Sequence, residues 1–219
     1  MRFAKPLLVY AIVGLWSTLA RAQGADSTEG FIGPVGFYPL MSNPAVLTEL
    51  HPSDDQAKAL QALHQDASDK LLAKTGQDDQ QLPKEQRAAE RRARANALTI
   101  DWQKNVAKVL NHEQLRRLTE IQIQYAGAIG FTTARVQKAL RLTDDQKKQA
   151  QEIVDELSRM LRGLAMTDGG NHETLRRKIS EQHVQALDKA YALLNEPQKT
   201  SWKTLIGEPF IRPFEEPQR

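Results

Sequence analysis

Five histidines, His51, His64, His112, His172 and His183, are the available metal-ligating nitrogens, and the chain has no cysteine to add a thiolate. None stands in an HExxH spacing: His112-Glu113 and His172-Glu173 lack a second histidine four residues on. His183 falls between Ile179 and Leu187 on an apolar stripe, where a satisfied boundary histidine belongs. The carboxylate pairs Asp54-Asp55 and Asp144-Asp145 could exchange protons, but each follows a Ser or Thr at a helix start, where the helix dipole favours negative charge. There is no glycine-rich phosphate loop and no Gly-x-Ser-x-Gly elbow. The expectation is therefore a protein with no catalytic residue, no cofactor and no metal site, and not an enzyme.

The basic residues offer more. Arg87, Arg91 and Arg94 recur at i, i+4 and i+7, so they share one helix face, with Arg92 beside them. Arg92 and Arg94 correspond to Arg176 and Lys178 84 residues later. These six residues form a candidate partner surface for anionic segments, lipid headgroups or unfolded chains, where arginine stems also cover apolar groups.

The elements that position these residues begin at four similar points. Ser53 and Gln56, Asn111 and Gln114, Thr143 and Gln146, and Asn195 and Gln198 each place a capping side chain three residues before a glutamine. This is the capping box: the first side chain accepts from a free amide of the first turn, and the glutamine reaches back to the cap residue's own N–H. Apolar residues follow each glutamine at helical spacing, as in Leu60 and Leu63 or Leu118 and Ile121. The pattern predicts helices from Pro44 to about Leu50, Asp54 to Lys74, Lys84 to Leu110 and Asn111 to Tyr125 or Ala126. A second series follows: a short helix capped by Thr132 or Thr133, long helices either side of Gly169-Gly170, and a last one ending at Gly207. In the second half the stripe Ala150, Ile153, Leu157, Met160 and Leu164 is expected to face inward. The two series match residue by residue, Val46, Leu50 and Gln56 with Val136, Leu140 and Gln146, and Leu110, Gln114 and Leu118 with Leu194, Gln198 and Trp202. The fold expected is all-α, two tandem four-helix units in the order short, long, long, short, their long hairpins forming an elongated or curved bundle.

Residues 1–22 read as a signal peptide, with Arg2 and Lys5 before an apolar run and Ala20-Arg21-Ala22 as a small-residue cleavage signature. The run is short against the roughly 20 residues that span a bilayer, so no stable membrane insertion is expected after cleavage. Loss of Arg2, Lys5 and Arg21 would bring the 30 basic residues level with the 27 acidic ones, which argues against a nucleic-acid partner. Residues 23–43 read as an extended or disordered arm, 44–127 and 132–207 as the two helical units, and 208–219 as a C-terminal tail.

Leu142-Thr143-Asp144-Asp145-Gln146 carries the form Leu-Thr-x-x-Gln, and Leu110-Asn111-His112-Glu113-Gln114 and Leu194-Asn195-Glu196-Pro197-Gln198 carry it with Asn for Thr. Pro52-Ser53-Asp54-Asp55-Gln56 lacks the leucine. In this the chain resembles the LTxxQ-motif proteins of the bacterial envelope, the Spy and CpxP family, in a tandem-duplicated form. The closing Trp202-x-x-Leu205-x-Gly207-Glu208-Pro209-Phe210 looks like the ending of exported bacterial proteins of this type. The resemblance implies a periplasmic or secreted, ATP-independent holdase for unfolded envelope proteins, each half playing one partner of the family's dimer. It implies as alternatives a regulatory ligand of an envelope-stress sensor kinase or a metal-responsive sensor. The oligomeric state expected is a monomeric pseudo-dimer or a homodimer.

Overall fold

The computed structural model describes residues 37–73, 83–167 and 172–210. Residues 1–36, 74–82, 168–171 and 211–219 lie outside the described residues, and with them the expected signal peptide and most of the expected arm. The chain is all-α, with no strand among the described residues.

The helices are α1 (Phe37–Met41), α2 (Pro44–Glu49), α3 (Asp54–Ala73), α4 (Lys84–Val109), α5 (His112–Ala126), α6 (Ala134–Leu140), α7 (Asp144–Thr167), α8 (His172–Ala192) and α9 (Glu196–Ile206). A 3-10 segment, Gly127–Thr132, joins α5 to α6. From α2 onward a short, two long and a shorter helix follow one another twice. Of the described residues, 37–125 and 206–210 form one compact unit and 126–205 the other.

Two expectations about boundaries are corrected. The arm read over 23–43 is helical at Phe37–Met41. Phe37, Leu40 and Met41 share a face at i, i+3 and i+4 and are all buried, and Pro39 costs little in a first turn whose N–H groups have no intrahelical partner. The tail expected from residue 208 onward instead belongs, as far as Phe210, to the first unit, and Phe210 packs against its core.

In the first unit the core is Phe37, Leu40, Met41, Val46, Leu50, Leu60, Trp102, Val106, Leu110, Leu118 and Ile121, with Leu63 and Ala67 partly buried against it. Phe37 meets Trp102 edge-on, ring centroids 5.2 Å apart at 84°. In the second unit Phe131, from the 3-10 segment, lies against Trp202 of α9 at 4.5 Å and 31°. Aromatic bulk is placed differently in the two cores: Ala186 stands where the first unit has Trp102, and Trp202 where it has Leu118, all four buried.

The α7 stripe is rotated from its expected setting. Ala150, Val154, Leu157 and Leu161 are buried, whereas Ile153 and Leu164 are half-buried and Met160 is 43 % exposed. The 3-10 segment packs on both α7 and α8. It leaves the Ile153 and Met160 side of α7 uncovered within the unit. Thr133 precedes α6, but its hydroxyl donates to the Gly130 carbonyl at 2.7 Å rather than capping the helix. Asn43 does cap α2, its Oδ1 accepting from Ala45 N at 3.0 Å.

Candidate functional site

All four capping boxes form. Ser53 N donates to Gln56 Oε1 at 3.0 Å and Gln56 N to Ser53 Oγ at 3.3 Å. Asn111 with Gln114, Thr143 with Gln146 and Asn195 with Gln198 repeat the exchange at 2.9 to 3.2 Å.

The structure also brings these glutamines together in pairs, which local spacing does not reveal. Gln56 Nε2 donates to Gln114 Oε1 at 2.9 Å, and Gln114 Nε2 returns a bond to Gln56 Oε1 at 3.0 Å. In the second unit Gln146 and Gln198 exchange bonds of 2.8 and 2.9 Å. Each amide then uses its second N–H on the chain before the opposite helix: Gln56 on Val109 O, Gln146 on Leu193 O, Gln114 on Leu50 O and His51 O, and Gln198 on Arg141 O. Each carboxamide has both N–H groups and both acceptor positions in use. The pairs clamp the starts of α3 and α5, and of α7 and α9, side by side.

The carbonyls of His51 and Arg141 reach these amides because both residues turn left-handed, at φ 45° and 50°. At Arg141 the turn closes a Schellman motif, Arg141 N donating to Lys138 O and Leu142 N to Gln137 O, and Leu142 becomes buried. This accounts for the leucine that opens Leu142-Thr143-Asp144-Asp145-Gln146. In the first unit Pro52 holds the equivalent place; it has no N–H, so only the His51 N to Thr48 O bond forms.

The segment after α9 is held by α5. Gln124 Nε2 donates to Ile206 O and Glu208 O at 2.7 and 2.8 Å, and Phe210 N donates to Gln124 Oε1 at 2.8 Å. Arg117 donates to Glu208 O at 2.8 Å while pairing with Glu49 and Glu120 at 2.7 and 3.1 Å. Gly207 has φ 60°, and a Cβ there would displace the Glu120 side chain, so the position favours glycine. Arg117, Glu120 and Gln124 carried no motif in the sequence; the Gly207-Glu208-Pro209-Phe210 ending they hold was the visible half.

One side of the α7–α8 hairpin is left uncovered within its unit. Ile153, Glu156, Leu157 and Met160 of α7 and Gln182, Gln185, Ala186 and Lys189 of α8 line one shallow groove. Lys189 Nζ crosses it to Glu156 at 2.9 Å. Leu157 and Ala186 are buried at its base, and Glu156, Gln182, Gln185 and Lys189 supply polar groups along it.

The expected basic surface is only partly in view. Arg87 and Arg94 are half-buried on α4, Arg94 paired with Glu90 at 3.2 Å. Arg91 and Arg92 lie in α4, with their side chains outside the described part. Arg176 and Lys178 are exposed on α8. Lys178, one turn before Gln182, continues the groove's edge, while Arg176 points about 200° away from it around the helix.

The helix-start acids have structural roles. A hydrogen bond and the charge of Lys147, 2.8 Å away, hold the Asp144 carboxyl below its ordinary range, and Lys199 does the same for Glu196. His51 and His112 are exposed, and His64 is half-buried beside Trp102, ring centroids 5.6 Å apart. Among the described residues no group of three or more His, Asp or Glu is placed to hold a metal ion. Among the described residues, too, no helix is long and apolar enough to cross a membrane. No family model, curated protein or solved structure matches the chain.

Proposed function

We propose that this chain is an exported protein-binding module of the LTxxQ type, an ATP-independent holdase for unfolded envelope proteins. The observation that carries the reading is the α7–α8 groove, where Met160 is 43 % exposed beside half-buried Ile153 and the charged pair Glu156 and Lys189. A long hairpin that leaves Met160 and part of Ile153 uncovered among polar side chains can take up apolar segments of a non-native chain without a nucleotide-driven step. The glutamine clamps support the reading by holding the two helix starts of each unit in register. Methionine supports it by adapting to many sequences. The arginines of α4 supply contacts for acidic stretches of the same clients.

The test is aggregation of several unrelated unfolded proteins with the mature chain at near-equimolar ratio and no nucleotide. The expected result is suppression of all of them, weakened by Met160→Lys and by joint charge reversal at Arg87, Arg91 and Arg94. No suppression, with tight binding to the sensor domain of one envelope-stress kinase, would replace the holdase with the regulatory-ligand reading. A rise in melting temperature with zinc, nickel or cobalt, as binding to the native state requires, would favour the metal sensor.

A further inference from the structure

With no cysteine in the chain, the only oxidisable sulfurs are the thioethers of Met1, Met41, Met160 and Met166. Met41 is buried in the first unit's core at 4 % exposure, Met160 is 43 % exposed and Met166 85 %. Of these, Met160 alone lines the α7–α8 groove. The position has a counterpart 90 residues earlier in α3. There the chain has Lys70, whose ammonium is 2.6 Å from Asp66 and whose pKa is raised by that hydrogen bond and charge. One hairpin is permanently charged at this point, and the other carries a group whose polarity chemistry can change.

We propose that Met160 is an oxidation site that makes the exposed apolar part of the α7–α8 groove polar when a hydroperoxide reaches it. In the step, a lone pair of the thioether sulfur attacks the outer oxygen of hydrogen peroxide. The S–O bond forms as the O–O bond breaks, the sulfur loses two electrons to the peroxide, and water leaves after proton transfer. The sulfoxide is a strong hydrogen-bond acceptor on a formerly apolar side chain. The opposite wall of the groove offers donors, the amides of Gln182 and Gln185 and the ammonium of Lys189. Oxidation therefore removes apolar surface and fills the groove with a polar group. Methionine sulfoxide reductases, one for each sulfoxide epimer, reverse it. Met166 is more exposed and oxidises first, but it does not line the groove. The effect on clients rests on the proposed function; the site and its change of polarity do not.

The experiment treats the mature chain, Met160→Leu and Met166→Leu with graded hydrogen peroxide. Peptide mass spectrometry reads each methionine, and the dye bis-ANS reads apolar surface. Met166 and Met160 are expected to gain an oxygen well before Met41. Dye affinity should fall several-fold in the unmodified chain and in Met166→Leu, stay unchanged in Met160→Leu, and return after joint treatment with both reductases. The far-UV circular dichroism should be constant throughout. The proposal is overturned if Met160 oxidises no faster than Met41, if the reduced chain binds no dye, if full oxidation of Met160 leaves dye binding intact, or if Met160→Leu loses binding as well. Aggregation suppression is measured in parallel. Its absence from the unoxidised chain would count against the proposed function alone, since mass and dye readings would still decide the oxidation site.

Discussion

Replacing Gln198 with glutamate changes one atom type at the centre of the second clamp. Gln198 is 8 % exposed. Its Oε1 accepts from Asn195 N at 3.0 Å and from Gln146 Nε2 at 2.8 Å, and its Nε2 donates to Gln146 Oε1 at 2.9 Å and, weakly, to Arg141 O at 3.4 Å. In Gln198→Glu the accepting oxygen survives, but the donor becomes a second carboxylate oxygen facing two acceptors. Losing about 1 kcal/mol for the stronger bond and rather more for opposed lone pairs gives a cost of about 2–4 kcal/mol at pH 7. The introduced carboxyl regains a donor when protonated, so its folded-state pKa rises by roughly 1.5–3 units above the unfolded value near 4.3. A raised pKa means the deficit is absent below about pH 4 and grows as pH rises through the folded value, to its full size at about pH 6–7. Urea unfolding of Gln198→Glu, Gln198→Ala and the parent, each without residues 1–22 and in a Trp102→Phe background so that Trp202 alone reports, measures this from pH 4 to 7.5. The contributions of Asp144 and Glu196 are common to all three and cancel in the differences. A Gln198→Glu deficit that does not change with pH, or that stays under about 0.5 kcal/mol at pH 7, would refute the pairing as drawn.

Three other substitutions probe the same architecture. Arg141→Gly should stabilise the second unit by about 0.5–1 kcal/mol in thermal or urea unfolding, because glycine takes the φ of 50° at Arg141 without the steric cost an L-side chain bears there. Gly207→Ala should cost about 1–2 kcal/mol, from the left-handed φ of 60° and the approach of Glu120, and should make the segment through Phe210 more sensitive to limited proteolysis. Lys147→Ala should return the Asp144 carboxyl toward its ordinary value of 3.8, read by NMR titration. In the parent that group stabilises above its unfolded pKa and the contribution is lost as pH falls through the lowered one, so the variant should lose less stability below about pH 4.

What could be read in advance was the local part of the fold. Each capping box is complete within four residues, and the buried stripe of α4 through Trp102 and Val106 follows its own spacing, so helix starts and most buried faces were visible. The glutamine pairs were not, because Gln56 and Gln114 meet only after α3 and α4 have formed a hairpin. Their common position in each box was the signal, and only their pairing across the chain was hidden. Phe37–Met41 was missed because five residues with a proline are too short for a period to show. The setting of α7 was misjudged for a third reason. Its apolar band, Ala150 to Leu164, is wider than the surface its neighbours cover, and which edge stays open depends on where the 3-10 segment and Phe131 pack. That open edge carries Ile153 and Met160, so the part of the proposed client surface least legible in the sequence is the part on which the proposal rests.

The most direct test of the groove as a client surface is site-specific photo-crosslinking from α7 and α8. A photoreactive residue at position 160 should capture several unrelated unfolded clients. One at position 184, where Val184 is 56 % exposed but does not line the groove, should capture little. Equal capture from both positions, or capture from 184 alone, would contradict the assignment of this groove to protein binding.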